Sequence, residues 1–290
     1  MNGDCANMNF RPIIAIISFI SAVSLSFNSH AYQEIEVADG ATIQGKAVLT
    51  GKMPYPRIYH LILFPNIDMC AEVDTDDEMN RVLDDFKISK DGGLKDVVIT
   101  LNHVEAGKPF NKKPIIIDSE DCKFFPEVNA VRQFESFKVN NLDAVMHNSQ
   151  VYQKERGKII QNLPIPPESI TNGKVTFQKN FKIFQMICGM HEFMQTWGYR
   201  IQNPYYFITK LGGEFKIDNI PPGEYDLNAW HFLMKTQSQR IKVAKNGTTN
   251  INFKFNGDKV TRPLYETIKS GRIKKDAAYP GTAKGRELGK

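Results

Sequence analysis

Residues 188–194 read Cys-Gly-Met-His-Glu-Phe-Met and place a thiolate, an imidazole and a thioether at the spacing C-x2-H-x2-M. This soft-ligand set binds copper in sites with a weak axial methionine, so the fold must bring these side chains to one point. The apolar run at residues 181–187 leads into the motif and predicts a β-strand. Because side chains alternate faces along a strand, Phe184, Met186 and Cys188 should point together into a packed interior.

A trigonal copper site needs a second imidazole beside the thiolate. His147 offers one, after a strand-like run with a polar interruption at residues 139–146. With that run the sequence resembles the cupredoxins, which carry a strand reading roughly V-x-N-x-D, then His-Asn, and later a Cys-to-Met loop. The resemblance covers residues 86–204, and the loop has the short amicyanin-like spacing.

The resemblance implies an all-β fold with a Greek-key, cupredoxin-like sandwich that holds one type 1 copper ion. By position, the implied ligands are His147, Cys188, His191 and the axial Met194. Asn148 would supply hydrogen bonding near the sulfur, and a partly exposed His191 would be the port for electrons. Glu192 departs from the pattern, because amicyanin-like loops usually carry proline there and the carboxylate brings a charge close to the ligands.

Other interpretations of the motif stay open. Cys-x2-His is also half of a zinc site, although structural zinc takes four N or S ligands and no second pair is present in the sequence. Cys188 and Met194 would also suit a metal-free apolar interior. His103, His231 and Met190 are further candidate ligands, but lone residues of these types usually lie in a core or on a surface.

A second β-rich region brackets the first. Alternating residues 43–49 and 59–64 predict an opening hairpin. Residues 213–227 read G-x-F-x-I-x-x-I-P-P-G-x-Y-x-L, which resembles the signature of carboxypeptidase regulatory-like sandwiches, where Pro and Gly shape a turn between strands. Residues 238–244 and 249–255 alternate in the same way, and the Asn-Gly pair between them predicts another hairpin.

This second resemblance implies a smaller β-sandwich split between residues 32–66 and 205–258, with the module at 86–204 inserted or placed in tandem. The acidic, turn-rich residues 68–94 are predicted to be a solvated connector. Two apolar runs, at residues 97–101 and 114–118, predict buried strands.

The long polar segment at residues 149–172 is broken by three prolines and predicts a loop. A loop of this length is uncommon in a compact domain unless it covers something. Because it starts directly after His147, it would form either a wall of the metal site or a plain surface loop.

The first 31 residues predict a signal peptide, with Arg11 before an apolar run and Ser-His-Ala at a cleavage site. Export would remove Cys5 and leave Cys70, Cys122 and Cys188. An odd number of cysteines in an oxidising compartment needs an explanation. The simplest is a Cys70–Cys122 disulfide plus one metal-held thiolate, with a free thiol at Cys70 or Cys122 as the alternative.

The formal net charge of +5 comes from a basic segment near the end of the chain, since residues 269–290 hold seven Lys or Arg against two acidic residues. Residues 259–290 therefore predict a basic flexible tail that solubilises the chain or docks an acidic surface. The remainder is nearly neutral, which does not favour nucleic-acid binding.

Together these features predict a periplasmic or secreted blue copper protein that transfers single electrons to an unidentified redox partner protein. Such a protein is not an enzyme and has no stable membrane insertion after signal cleavage. The alternatives are a copper-holding or delivery protein and a metal-free structural or binding β-sandwich.

Overall fold

The computed structural model describes residues 32–111, 113–153, 157–178 and 181–261. Its regular structure is almost entirely β, which confirms the predicted fold class. The strands, in chain order, are β1 (Gln33–Glu34), β2 (Ala41–Thr50), β3 (Ile58–His60), β4 (Asn80–Val82), β5 (Val98–Asn102), β6 (Ala106–Gly107), β7 (Ile115–Glu120), β8 (Lys123–Phe125), β9 (Val128–Val131), β10 (Ser136–Asn141), β11 (His147–Gln153), β12 (Ile159–Ile165), β13 (Ser169–Lys174), β14 (Ile183–Cys188), β15 (Gln195–Arg200), β16 (Tyr206–Ile208), β17 (Glu214–Ile220), β18 (Gly223–Trp230), β19 (Gln237–Val243), β20 (Thr248–Asn250) and β21 (Phe253–Asn256).

Helical structure in the described ranges is limited to single turns. These are a 3-10 turn at Leu61–Leu63, the short helix α1 (Ile67–Cys70) and a 3-10 turn at Gly257–Lys259. No helix among the described residues is long and apolar enough to cross a membrane. The predicted signal peptide, and the basic tail from residue 262 onward, lie outside the described residues.

The predicted copper site belongs to a sandwich of two sheets. One sheet has the strand order β13-β10-β7-β8 and the other β12-β11-β14-β15-β9. Their facing side chains form one apolar cluster, which includes Ile117, Val139 and Val151. Phe184, Met186 and Cys188 lie in the same cluster, as the alternation along β14 predicted.

The segment predicted as a long loop, residues 149–172, is instead mostly strand. It contributes most of β11, all of β12 and the start of β13. β12 and β13 are the outermost strands of their two sheets. Prolines are tolerated on edge strands because only one side of such a strand donates to a ladder, so Pro164 does not break β12.

A smaller sandwich is built from strands towards both ends of the described residues, together with β5. Its sheets have the orders β16-β5-β18-β19 and β17-β2-β20, with β21 also pairing with β2. Both predicted hairpins are wrong: β3 pairs with β4 rather than β2, and β19 pairs with β18 rather than β20. The Asn246-Gly247 turn therefore crosses from one sheet to the other.

The apolar run at residues 97–101 forms β5, which pairs with β16 and β18 of the smaller sandwich. The predicted bounds had placed this run in the module at 86–204. The smaller sandwich also packs against the outer face of the five-stranded sheet, where Trp197 stacks on Phe232 with ring centroids 5.6 Å apart and Tyr199 contacts Trp230 at 5.1 Å. The two sandwiches therefore share an apolar contact.

The acidic segment predicted as a solvated connector is packed onto the site-bearing sandwich. Cys70 in α1 forms a disulfide with Cys122 in the turn between β7 and β8, which confirms the predicted pairing. The buried Arg81 donates a hydrogen bond to the carbonyl of Cys70 and lies 5.0 Å from the ring centroid of Phe193. This segment is held over the loop that carries the metal-binding motif.

Candidate metal centre

Strand register brings the two halves of the predicted site together. β11 and β14 are antiparallel, with Ser149 opposite Cys188, so His147 begins β11 where β14 ends. The loop at 188–194 is closed by hydrogen bonds from the N–H of Cys188 to the carbonyl of Met194 (3.1 Å) and from the N–H of Met194 to the carbonyl of His191 (2.9 Å). This tight loop turns His191 back towards Cys188.

Three donor atoms converge at this point. Nδ1 of His147 lies 3.1 Å from Nδ1 of His191, and Sγ of Cys188 lies 3.8 Å and 3.6 Å from these two atoms. A point equidistant from the three atoms is about 2.0 Å from each, close to the lengths of metal–imidazole and metal–thiolate bonds. The spacing of the three donors therefore fits a single metal ion.

Each imidazole is oriented through its other nitrogen. Nε2 of His147 lies 2.7 Å from Oδ2 of Asp143, and Nε2 of His191 lies 3.2 Å from the carbonyl oxygen of Pro65. A carbonyl oxygen only accepts hydrogen bonds. Burial raises the pKa of Asp143, but hydrogen bonds from His147 and from the N–H of Cys122 outweigh this effect and lower the pKa. Both Nε2 atoms therefore carry the proton.

These tautomers leave a lone pair on each Nδ1 atom, and the two lone pairs face each other at 3.1 Å beside a sulfur. Two acceptors at this distance repel unless a cation or a proton lies between them. A positive charge at the centre of the three donor atoms therefore stabilises the cluster. This fits the softness of a Cys-His-His donor set towards copper.

In the absence of an ion, a proton takes that place. Burial lowers the pKa of His147, but hydrogen bonds to Asp143 and Cys188 outweigh it and raise the pKa to about 9. Burial raises the pKa of Cys188, but hydrogen bonds from His147 and His191 outweigh it and lower the pKa to about 6. Between these values the metal-free cluster is a thiolate–imidazolium pair that holds one proton.

We expect metal binding at pH 7.5 to release about one proton per ion, because the ion displaces the proton on His147. Affinity should fall about tenfold per pH unit from pH 9 to pH 6, and about a hundredfold per unit below pH 6, where Cys188 is also protonated. Titration in weakly buffered solution with a pH indicator measures the release. Binding with no proton release at pH 7.5 would contradict this ionisation scheme.

Asn148 lies beside the sulfur of Cys188, and Met194 shares a buried apolar cluster with it. The backbone N–H of Asn148 lies 3.4 Å from Sγ of Cys188 and donates to it. The side chain of Met194 is buried in the same apolar cluster as Cys188. Its role as the axial ligand and the tuning role of Asn148 stay predictions.

The expected exposure of His191 is wrong. His147, Cys188 and His191 are each 0% exposed. Pro65 covers the outer nitrogen of His191, and Phe193 packs beside its ring with centroids 5.7 Å apart. Pro65 lies between β3 and β4, within the residues 32–66 that the sequence had assigned to the smaller sandwich, and Phe193 belongs to the ligand loop itself.

Sequence reasoning also missed Asp143 and Pro65. Asp143 belongs to the V-x-N-x-D pattern four residues before His147, and this spacing is the signal that could have identified it. Its Oδ2 also accepts hydrogen bonds from Oγ of Ser119 (3.2 Å) and from the N–H of Cys122 (3.1 Å). Pro65 carries no such signal, because its contribution is a backbone carbonyl.

Of the other candidate ligands, Met190 lies in the ligand loop at the edge of the same apolar cluster, whereas His231 and His103 lie elsewhere. His231 is buried between Phe86 and Phe232, and burial lowers its pKa to about 3. His103 is exposed beside Asp226. Cys122 has donor atoms of Asp143 and His147 close by, but its sulfur is in the disulfide and cannot act as a thiolate ligand.

Comparisons with known proteins give distant structural matches. No family model matches the sequence, and no curated protein does. Matching solved structures include amicyanin from Paracoccus versutus, with 16% identity, 36% of this chain and 97% of that chain covered, and a TM-score of 0.27. Others are a purple cupredoxin from Nitrosopumilus maritimus (17% identity, 30% and 99% covered, TM-score 0.25) and a Cu-containing nitrite reductase from Thermus scotoductus SA-01 (15% identity, 33% and 24% covered, TM-score 0.27).

These similarities are low, and the nitrite reductase is matched over only 24% of its own length. The case for a metal centre therefore rests on the donor geometry of this chain. The resemblance of the smaller sandwich to carboxypeptidase regulatory-like domains stays a prediction.

Proposed function

We propose that this chain binds one copper ion through His147, Cys188 and His191, with Met194 as the axial ligand, and that it carries single electrons. The observation that supports this most is the convergence of three donor atoms: the two Nδ1 atoms lie 3.1 Å apart, and Sγ of Cys188 lies 3.8 Å and 3.6 Å from them. When bound there, copper would supply one-electron chemistry, because two imidazoles and a thiolate suit both Cu(I) and Cu(II).

The surrounding residues favour a rigid donor set. Asp143 and Pro65 hold the two imidazoles in fixed orientations, and Cys188 is anchored at the end of a buried strand. Outer hydrogen bonds of this kind orient metal ligands and tune their basicity. A donor set that need not rearrange suits the exchange of single electrons.

Burial favours a carrier over an enzyme or a copper-delivery protein. Since all three donor side chains are 0% exposed, a substrate or an accepting metal chaperone would first have to displace the covering segment. An electron needs no such opening, since it can tunnel through packed atoms.

We also propose that the protein is exported. The Cys70–Cys122 disulfide is buried, and disulfides persist mainly in oxidising compartments. The predicted signal sequence at residues 1–31 agrees with this compartment.

The test is to add one equivalent of Cu(II) to the metal-free mature chain, dialyse it, and record the visible spectrum before and after reduction. We expect retained copper and an intense thiolate-to-Cu(II) band that ascorbate bleaches and ferricyanide restores. A retained but colourless Cu(I) that cannot be reversibly oxidised would favour copper holding. Loss of all copper on dialysis would leave a metal-free β-sandwich.

A further inference from the structure

The segment that covers His191 carries two highly exposed apolar side chains. We define the cap as residues 61–66, which comprise the 3-10 turn Leu61–Leu63, Phe64, Pro65 and Asn66. Ile62 and Leu63 are 76% and 71% exposed, more than any other large apolar residue in the described ranges. These two neighbouring side chains expose a contiguous apolar surface, which is a feature that interaction sites share.

The underside of the cap contacts the metal centre. The carbonyl of Pro65 accepts the hydrogen bond from Nε2 of His191 at 3.2 Å. Phe64 packs edge-on against Phe193, with centroids 5.2 Å apart, and Phe193 lies 5.7 Å from the ring of His191. The path from His191 to the surface at Ile62 and Leu63 therefore runs through continuously packed atoms of a single short segment.

The surroundings of the cap are acidic. The sequence between residues 58 and 80 has six Asp or Glu residues and no Lys or Arg. Asp68 follows the cap in α1, and the hydrogen bond from the N–H of Leu61 to the carbonyl of Met79 brings the end of the acidic run beside the cap. Asp68, Glu72 and Asp77 are exposed and form no ion pair with any described residue.

We propose that the cap is the docking surface for a redox partner protein whose contact face has an apolar centre ringed by Lys and Arg. This inference rests on the proposed electron-carrier function and names the partner's chemistry. The apolar pair supplies the dry contact, and the carboxylates supply attraction and orientation. The partner's redox centre is then separated from His191 by the thickness of the cap.

The negative charge around the cap favours a basic redox partner over a second copy of this chain and over an anionic lipid surface. A second copy would place its own carboxylates against these, and such like-charge contacts cost free energy. An anionic lipid surface would likewise repel the acidic rim. Of these three occupants, a basic protein face is the one whose charge is complementary to the acidic rim.

The test uses the copper-loaded full chain, reduced, with an oxidised basic cytochrome c as the probe acceptor. Stopped-flow rates should fall about tenfold or more between 10 mM and 500 mM salt, because steering between opposite charges is screened. At low salt we expect Leu63→Asn to lower the rate about fivefold, and Glu72→Gln combined with Asp77→Asn to lower it about three- to tenfold.

Matched controls come from the smaller-sandwich side of the chain. Leu211→Asn changes another exposed leucine, and Glu36→Gln with Glu105→Gln removes two exposed carboxylates there. Rates within about twofold of wild type in these controls support the proposal. Cap variants indistinguishable from the controls would overturn it.

The same samples distinguish a failure of docking at the cap from a failure of the proposed electron-carrier function. Visible colour and reoxidation by ferricyanide report the copper centre without any protein partner. If every variant keeps both while the cytochrome rate ignores the cap substitutions and salt, docking at the cap is wrong and electron carriage stands. If wild type has no colour, the proposed function itself fails.

Discussion

Cys188→Ser is expected to remove at least about nine-tenths of the visible absorption of the Cu(II)-loaded protein and to weaken copper binding by about a hundredfold or more. Cys188 provides the one sulfur among the three converging donor atoms. The intense band requires a thiolate bonded to Cu(II). A serine hydroxyl stays protonated near neutral pH and is a harder ligand, so neither the colour nor the soft-metal preference survives.

The measurement is a copper titration followed by spectroscopy on both proteins. Met190→Leu is the matched control, because Met190 lies in the same loop, packs at the edge of the same apolar cluster and is replaced by a side chain of similar volume. The control should keep the colour of the wild type. If the serine variant keeps its colour, the thiolate assignment is wrong.

Asp143→Ala is expected to speed copper dissociation about ten- to a hundredfold, the range typical for loss of a hydrogen-bond partner behind a metal ligand. His147 would lose the acceptor that holds its proton on Nε2 and its lone pair on Nδ1. The substitution also leaves the buried Ser119 hydroxyl and Cys122 N–H without their acceptor, at about 1–3 kcal/mol each in folding free energy.

Dissociation is followed as loss of colour into an excess of chelator, with the thermal midpoint measured alongside. Asp118→Ala is the control, because it removes a carboxylate from neighbouring β7 that bonds Asn140 rather than a ligand. The rate of copper dissociation from the Asp143→Asn variant should lie between the rates of the Asp143→Ala and Asp118→Ala variants, since an amide oxygen still accepts a hydrogen bond from Nε2. Equal dissociation from the Asp143→Ala and Asp118→Ala variants would show that Asp143 does not position His147.

Much of the local structure was predictable from short-range patterns. Alternation of apolar residues located β2, and continuous apolar runs located β5, β7 and β14. The odd number of cysteines expected after export led to the Cys70–Cys122 disulfide. The partners of the strands were not predictable in the same way. The Asn-Gly turn favours a hairpin locally, but β20 gains more by joining β2 in the opposite sheet.

The burial of the metal centre could not be predicted from the sequence for a related reason. The acidic, turn-rich stretch at residues 68–94 is typical of solvated connectors, but its disulfide, the buried Arg81 and the pairing of β4 with β3 hold it against the rest of the protein. Pro65 acts through its carbonyl, which every residue possesses, so no side-chain pattern could identify it. Three prolines likewise indicated a loop at 149–172, whereas edge positions in two sheets accommodate strands there.

By itself, the sequence determined the candidate metal ligands. It fixed which soft donors are present, their spacing in a tight loop, and the alternation that turns Cys188 inward. Only the tertiary structure decided which residues surround these ligands. It placed Asp143 behind one imidazole and Pro65 over the other, and it sealed His191 from water. The physical reason is that spacing and side-chain alternation are local properties of the chain. Burial and hydrogen-bond partners depend instead on which distant segment gains most by packing there.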